Sequence, residues 1–292
     1  PMPPACPRCQ KDSANLTPCP KSVRDGSFYR TSDGQWIERY RCRRCAHRYS
    51  SATFQCAYRQ KKRHKNETIR KLYASNMSLR RIAIVLRLHR TTVVRKFLFL
   101  GKEAEERFYR LNQERGLARE FEFDDLETFE HTKCKPLSVT LAVEFKTRRI
   151  LGLEVSTMKA KGKLVGKAKR YGERKDTRKD ARRALFERLV GMTSETCLIK
   201  SDQNPYYEKD VREFFPKATY HQYKGQRGSL GGQGELKKIK FDPLFSLNHT
   251  CAMLRANVNR LIRKTWNTTK RQDRLRAHLF LYAEFHNRVL IT

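Results

Sequence analysis

Acidic residues are scarce in this chain: 30 Asp and Glu stand against 64 Lys and Arg, which leaves a formal charge of +34 over 292 residues. A globular protein with that excess repels itself unless a polyanion neutralises it, so nucleic acid is the expected partner. Long apolar runs are also missing. No stretch approaches the roughly 20 residues of a membrane span, which argues against a membrane protein. The first residues, PMPPACPRC, lack a basic-then-apolar leader, so no secretory signal is expected. No internal repeat stands out. Hydrophobic residues make up only 38% of the chain, yet they include 16 Phe and 12 Tyr, enough to build a core.

The cysteines are few but patterned. Of nine, four form the pairs Cys6-Pro7-Arg8-Cys9 and Cys42-Arg43-Arg44-Cys45. Two C-x-x-C knuckles supply the four thiolates of a tetrahedral structural Zn²⁺ site, and their separation suits a zinc ribbon carried on β-hairpins. Cys19 and Cys56 lie outside the pairs, with Cys19 an alternative ligand. Arg41, Arg43, Arg44 and Arg48 surround the second knuckle and are expected to face phosphates.

Three segments follow from composition and periodicity. Residues 1–60 form the ribbon. Residues 61–115 open with Lys61-Lys62-Arg63-His64-Lys65 and turn helical. Glu67–Ala74, Ser78–Leu86 and Arg90–Leu100 read as three short helices, with Ser78 as an N-cap and Arg87-Leu88-His89 as the turn. Ile69, Leu72, Leu79, Ile82, Ala83, Leu86, Val93 and Val94 recur at helical spacing and form the expected core. Such a trihelical unit matches a helix-turn-helix whose last helix offers Arg90, Thr91, Thr92, Arg95 and Lys96 to a major groove.

Residues 116–292 alternate strand and helix patterns. Arg119–Phe123, Leu137–Phe145 and Arg149–Val155 read as consecutive strands. The helix Ala181–Gly191, strand Thr196–Ser201, helix Tyr206–Phe215 and strand Ala218–Tyr223 follow. A long helix from about 247 to 266 and a last one from about 270 to 287 close the chain. Three strands, then helix, strand, helix, strand, helix is the order of an RNase H-like α/β fold. Between 159 and 183 lie twelve Lys or Arg, read either as a DNA-backbone clamp or as a solvated loop that orders on DNA.

Phosphodiester cleavage at neutral pH calls for two Mg²⁺ ions held by hard oxygen ligands, so carboxylates must converge at strand ends. Asp124 or Asp125 on the first strand and Asp202 after the fourth fit that requirement.

CPRC…CRRC, FDDLETF, SDQNPYY and LNHTCAMLRANVNRLIRKTW together resemble the bacterial insertion-sequence transposases that fuse a zinc ribbon and helix-turn-helix to a DDE-type catalytic domain. The resemblance spans nearly the whole chain. It implies that Asp124 and Asp202 bind Mg²⁺ (or Mn²⁺), with Asp125 a neighbour. In that family a Glu near the start of the last core helix precedes a basic residue by seven positions. Counting back from Arg255 gives Asn248 instead, a D-D-N triad. Glu235, in the glycine-rich loop, is the rival third ligand. Arg255 and His249 are expected near a phosphate or the third ligand, and Lys237, Lys238 and Lys240 along the DNA. The resemblance further implies double-stranded DNA as partner, with strand cleavage at transposon ends and transfer to target DNA, a homodimer or larger assembly, and a cytoplasmic, nucleoid-associated location. The competing expectation is a retired transposase that keeps only DNA binding, and a third is a plain RNase H-like nuclease.

Overall fold

The computed structural model describes residues 3–12, 22–224, 242–262 and 268–291. Contacts divide the chain into two units, Pro1–Thr68 and Ile69–Thr292. Among the described residues no helix is long and apolar enough to cross a membrane.

The first unit holds a helical turn α1 (Pro7–Asp12) and an antiparallel sheet of β1 (Val23–Arg30), β2 (Gln35–Arg41) and β3 (Arg48–Ser50) in sequence order. The strand β2 buries only Ile37 and Tyr40 and leaves Gln35, Trp36, Glu38, Arg39 and Arg41 in solvent. Its apolar cluster is correspondingly small: Cys6, Cys9, Tyr40, Cys42 and Tyr49.

In the second unit three helices come first: α2 (Asn66–Ala74, which begins in the first unit), α3 (Leu79–Val85) and α4 (Arg90–Glu114). Ser78 caps α3, its hydroxyl accepting the Arg81 N–H at 3.4 Å, and His89 Nδ1 accepts the Thr91 N–H at 3.4 Å to cap α4. The last helix of the trio is far longer than the expected Arg90–Leu100. It continues because Leu100, Gly101, Ala104 and Phe108 extend the buried stripe of Val93 and Phe97 at three- and four-residue steps. That stripe packs on α9 (Gln272–Phe285). The approach is close at Gly101, where a Cβ would stand 2.6 Å from the Ala277 Cβ.

The large sheet has the order β6-β5-β4-β7-β8, with β4 (Ala118–Phe129), β5 (Pro136–Glu144), β6 (Ile150–Thr157), β7 (Thr193–Asp202) and β8 (Thr219–Tyr223). The central β5 runs antiparallel to both β4 and β6, and β7 and then β8 join parallel to β4 on its other side. One face, through Phe121, Phe123, Ala142 and Leu151, packs on α6 (Arg178–Val190) and α7 (Tyr207–Phe214). The other, through Leu126, Val139, Leu141 and Leu153, shares a core with α4, α9 and α8 (Phe245–Asn257). A buried amide chain ties α4 to β6 and the chain end: Asn287 Nδ2 donates to Asn112 Oδ1 at 3.2 Å, and both amides donate to the Ile150 carbonyl.

Two elements differ from expectation. The helix expected over 247–266 ends at Asn257, where Val258 leaves helical geometry. Val258 and Leu261 then turn into the core, and Asn257 Nδ2 donates back to the Met253 carbonyl at 2.9 Å. Basic residues 159–183 are partly helical, with α5 (Leu164–Ala168) ahead of α6.

Candidate acidic site and cysteine cluster

The hairpin turn between β2 and β3 carries Cys42 and Cys45, and α1 carries Cys9 with Cys6 just ahead. The Cys42 N–H donates to the His47 carbonyl and the Gln10 N–H to the Cys6 carbonyl, both at 3.0 Å, which curls each knuckle. All four sulfurs lie within 4.8 Å of one another, with Cys6–Cys45 at 3.6 Å and Cys9–Cys42 at 3.8 Å. Four sulfurs about 2.3 Å from a central ion in a tetrahedron stand about 3.8 Å apart, and disulfides would be far shorter. The cluster is compatible with a structural zinc. Arg43 and Arg44 between the ligands are exposed, as is Arg48, which pairs with Asp25 at 3.1 Å. Cys56 is exposed and stands apart from the four; Cys19 lies outside the described residues.

On the large sheet, alternation along Glu120-Phe121-Glu122-Phe123-Asp124 sends the two Phe to the α6–α7 side and the acids to the other. Asp124 and Asp125 sit inside β4 rather than at its end, because pairing with β5 runs on through Asp124↔Leu141 and Asp125↔Thr140 to Phe129↔Pro136. The strand that ends here is β7, which pairs with β4 up to Glu122↔Lys200. Extending that register by two residues sets Asp202 beside Asp124 on the same face, one strand spacing away, about 4.8 Å. The two carboxylates feel each other. Asp124 is pushed up to about 7, first by burial and next by the Asp202 charge, and this is opposed by the Asp125 N–H, which donates to its Oδ1 at 2.7 Å. Tyr207 donates its hydroxyl to the same oxygen at 3.2 Å.

Asp125 points the other way. It accepts the Thr140 hydroxyl at 2.6 Å and lines a cavity of about 280 Å³ with Asp176, Arg178 and Asn204. Behind Tyr207, Arg182 and Asp210 form a buried ion pair between α6 and α7, and the Arg182 guanidinium lies 5.0 Å from the Tyr207 ring centre.

Glu122 shares the Asp124 face of β4, and nothing local in the sequence singles it out. It is fully buried, its Oε2 accepts the Leu247 N–H at 2.7 Å in the first turn of α8, and burial pushes it up to about 7. This bond lays α8 along β4. Cys251 then falls close enough to Asp124 and Glu122 for their charges, after burial, to hold its thiol well above the usual range. Asn248, one turn earlier, donates Nδ2 to Asp242 Oδ2 at 2.7 Å, which leaves its amide oxygen as a neutral acceptor. Among the described residues, the four cysteines are the only set of three or more His, Cys, Asp and Glu side chains gathered at metal-binding spacing. Glu235, Lys237, Lys238 and Lys240 fall outside the described residues, as does Trp266.

Other expected contacts divide. Arg90, Thr91 and Arg95 are exposed and Thr92 half-buried at the start of α4, but Lys96 is buried, 4% exposed. It occupies the inward stripe three residues after Val93, so it is not presented to a groove. His249 stands 3.2 Å from Arg148 Nη1, with its pKa lowered first by burial and then by that guanidinium. Arg255 lines a cavity beyond the end of α8. Of the twelve cations in 159–183, Lys161, Arg174, Arg178, Arg182 and Arg183 pair with carboxylates of this chain, so fewer remain for phosphates than the raw count suggests. No family model and no curated protein matches this chain.

Proposed function

We propose that this chain is a DNA transposase: an RNase H-like core that cleaves DNA strands and joins them to target DNA, guided to transposon ends by a zinc ribbon and a helix-turn-helix. The observation that carries the reading is the parallel pairing of β4 with β7 up to Glu122↔Lys200, whose continuation sets Asp202 beside Asp124, where its charge raises the Asp124 pKa. A sheet in which three antiparallel strands are followed by two parallel ones, added on the side of the first, supports the RNase H-like assignment. The excess of 34 positive charges supports a DNA partner.

The donor set is hard oxygen, which suits Mg²⁺ or Mn²⁺. Two bound divalent ions would activate the attacking oxygen and stabilise the leaving one. The residues set the stage for that chemistry. Asp124 and Asp202 hold charge at one point on the sheet, Tyr207 orients the Asp124 carboxylate, and Glu122 docks the helix that carries Asn248. Hydrolysis and strand transfer are both in-line displacements at phosphorus, so no protein–DNA covalent intermediate is required. Work on two DNA ends calls for at least a homodimer, in the bacterial cytoplasm at the nucleoid.

One observation favours a second reading, a DNA-binding protein that has lost catalysis. No third carboxylate joins the acidic pair among the described residues, and an uncharged Asn248 would bind a second ion weakly. Incubation of the purified chain with end-sequence DNA and Mg²⁺ or Mn²⁺ separates the two. A transposase nicks and transfers strands, and Asp124→Asn or Asp202→Asn lowers the rate at least about 100-fold while DNA affinity persists. Tight end binding with no nicking under either metal rejects the enzyme. Nicking without any strand-transfer product would leave a plain nuclease.

A further inference from the structure

A cavity of about 460 Å³ opens where the far end of β4 meets the segment after α8. Its volume lies in the range of small-ligand pockets. Phe129, Met158, Leu164 and Leu261 give it an apolar interior, and Lys133, Arg255 and Arg260 stand around it. Its one carboxylate, Glu127, is already held by Lys161 at 2.6 Å. Cations around an apolar hollow suit a ligand with a flat, weakly polar body and an anionic tether.

Position narrows the class. Thr128, on the cavity wall, lies four residues beyond Asp124 on the same strand and the same face, about 13 Å away at the usual rise of 3.3 Å per residue. That distance is about four base-pair rises of duplex DNA. A strand whose phosphate rests at the acidic pair and that runs along β4 would bring a nucleotide a few positions away to this opening. A paired base cannot enter, because its faces are stacked and its edge is occupied. An unpaired one presents a π-face to Phe129 and its phosphate to the exposed Lys133.

We propose that this cavity takes one unpaired nucleotide of the DNA strand engaged at Asp124 and Asp202. The assignment rests on the transposase reading for its substrate class. It makes the protein selective for DNA frayed or single-stranded within a few nucleotides of the cleaved phosphate.

The test compares the full chain on two fluorescent probes without added Mg²⁺: a blunt 30-base-pair duplex and the same duplex with a three-nucleotide 3′ tail carrying 2-aminopurine. The tailed probe is expected to bind about tenfold more tightly, the scale of one base–aromatic stack, with a change in 2-aminopurine emission. Phe129→Ala and, separately, the half-buried Leu164→Glu should each erase that preference while blunt-duplex affinity and the thermal unfolding midpoint hold. Equal affinity of the native chain for both probes, or a preference that survives both substitutions, overturns the proposal. Since binding is read without catalysis, a chain that prefers the tail yet never cleaves would sink the enzyme reading and leave the pocket standing.

Discussion

The unit Pro1–Thr68 encloses little besides its cysteines and two tyrosines, whereas Ile69–Thr292 buries two large apolar clusters on either face of a five-stranded sheet. Each part therefore has its own requirement for folding. A small three-stranded sheet with most of β2 in solvent repays little chain entropy by burial, and the four-sulfur cluster is compatible with a metal whose bonds would supply the balance. The larger unit has no such need, since helices cover both faces of its sheet.

The largest effect is expected from stripping any metal held by the four cysteines. Structural zinc sites contribute about 10–16 kcal/mol of apparent folding energy. Chelation, or Cys42→Ser, should therefore abolish amide protection in β1–β3 while leaving β4–β8 protected, as hydrogen exchange followed by mass spectrometry will show. Equal loss in both units would refute the contrast.

Within the larger unit, Asp210→Ala leaves Arg182 buried without its partner. We expect a loss of about 3–5 kcal/mol in denaturant unfolding, because an uncompensated buried charge costs more than the pair is worth. Tyr207 sits on the same helix, so the strand cleavage proposed for this site should fall as well. A change under 1 kcal/mol would show that the site relaxes freely.

The seam between α4 and α9 is tight enough to test with one methyl group. Gly101→Ala brings a Cβ to 2.6 Å from that of Ala277, and overpacking of this kind costs about 1–3 kcal/mol. The compensating pair Gly101→Ala with Ala277→Gly should recover part of it in the same assay.

The smallest effect concerns pH. His278 is fully buried against Tyr73, with ring centres 4.0 Å apart, and burial holds its pKa well below the ordinary 6.5. The folded state therefore resists a proton that the unfolded chain accepts. Stability that is complete above pH 6.5 is lost as the pH falls below it, at up to about 1.4 kcal/mol per unit. His278→Phe should flatten that slope between pH 6.5 and 5 in exchange protection of α9; an unchanged slope would assign the acid response elsewhere.

Much of the site was legible in the chain because local chemistry repeats at fixed spacing. Two C-x-x-C pairs announce a four-sulfur cluster, and the acids of EFEFDD alternate with apolar residues as a strand should. Lys96 shows where this stops: three residues past Val93, it lies on the stripe that a longer helix buries, and its length was set by α9, not by local propensity. Glu122 was equally hidden, since a carboxylate that caps a helix 125 positions away leaves no local trace.

By itself, then, the sequence determined the cysteine cluster, the order of strands and helices, and a charge that demands a polyanion, because these depend on residues close together or on composition. Only the tertiary structure decided that Asp202 stands beside Asp124, that Asp125 faces away, and that Glu122 and Tyr207 surround the pair. Those facts follow from strand register and helix docking, which long-range packing sets, and a one-residue shift of β4 would turn Glu122, Asp124 and Asp125 to the opposite face.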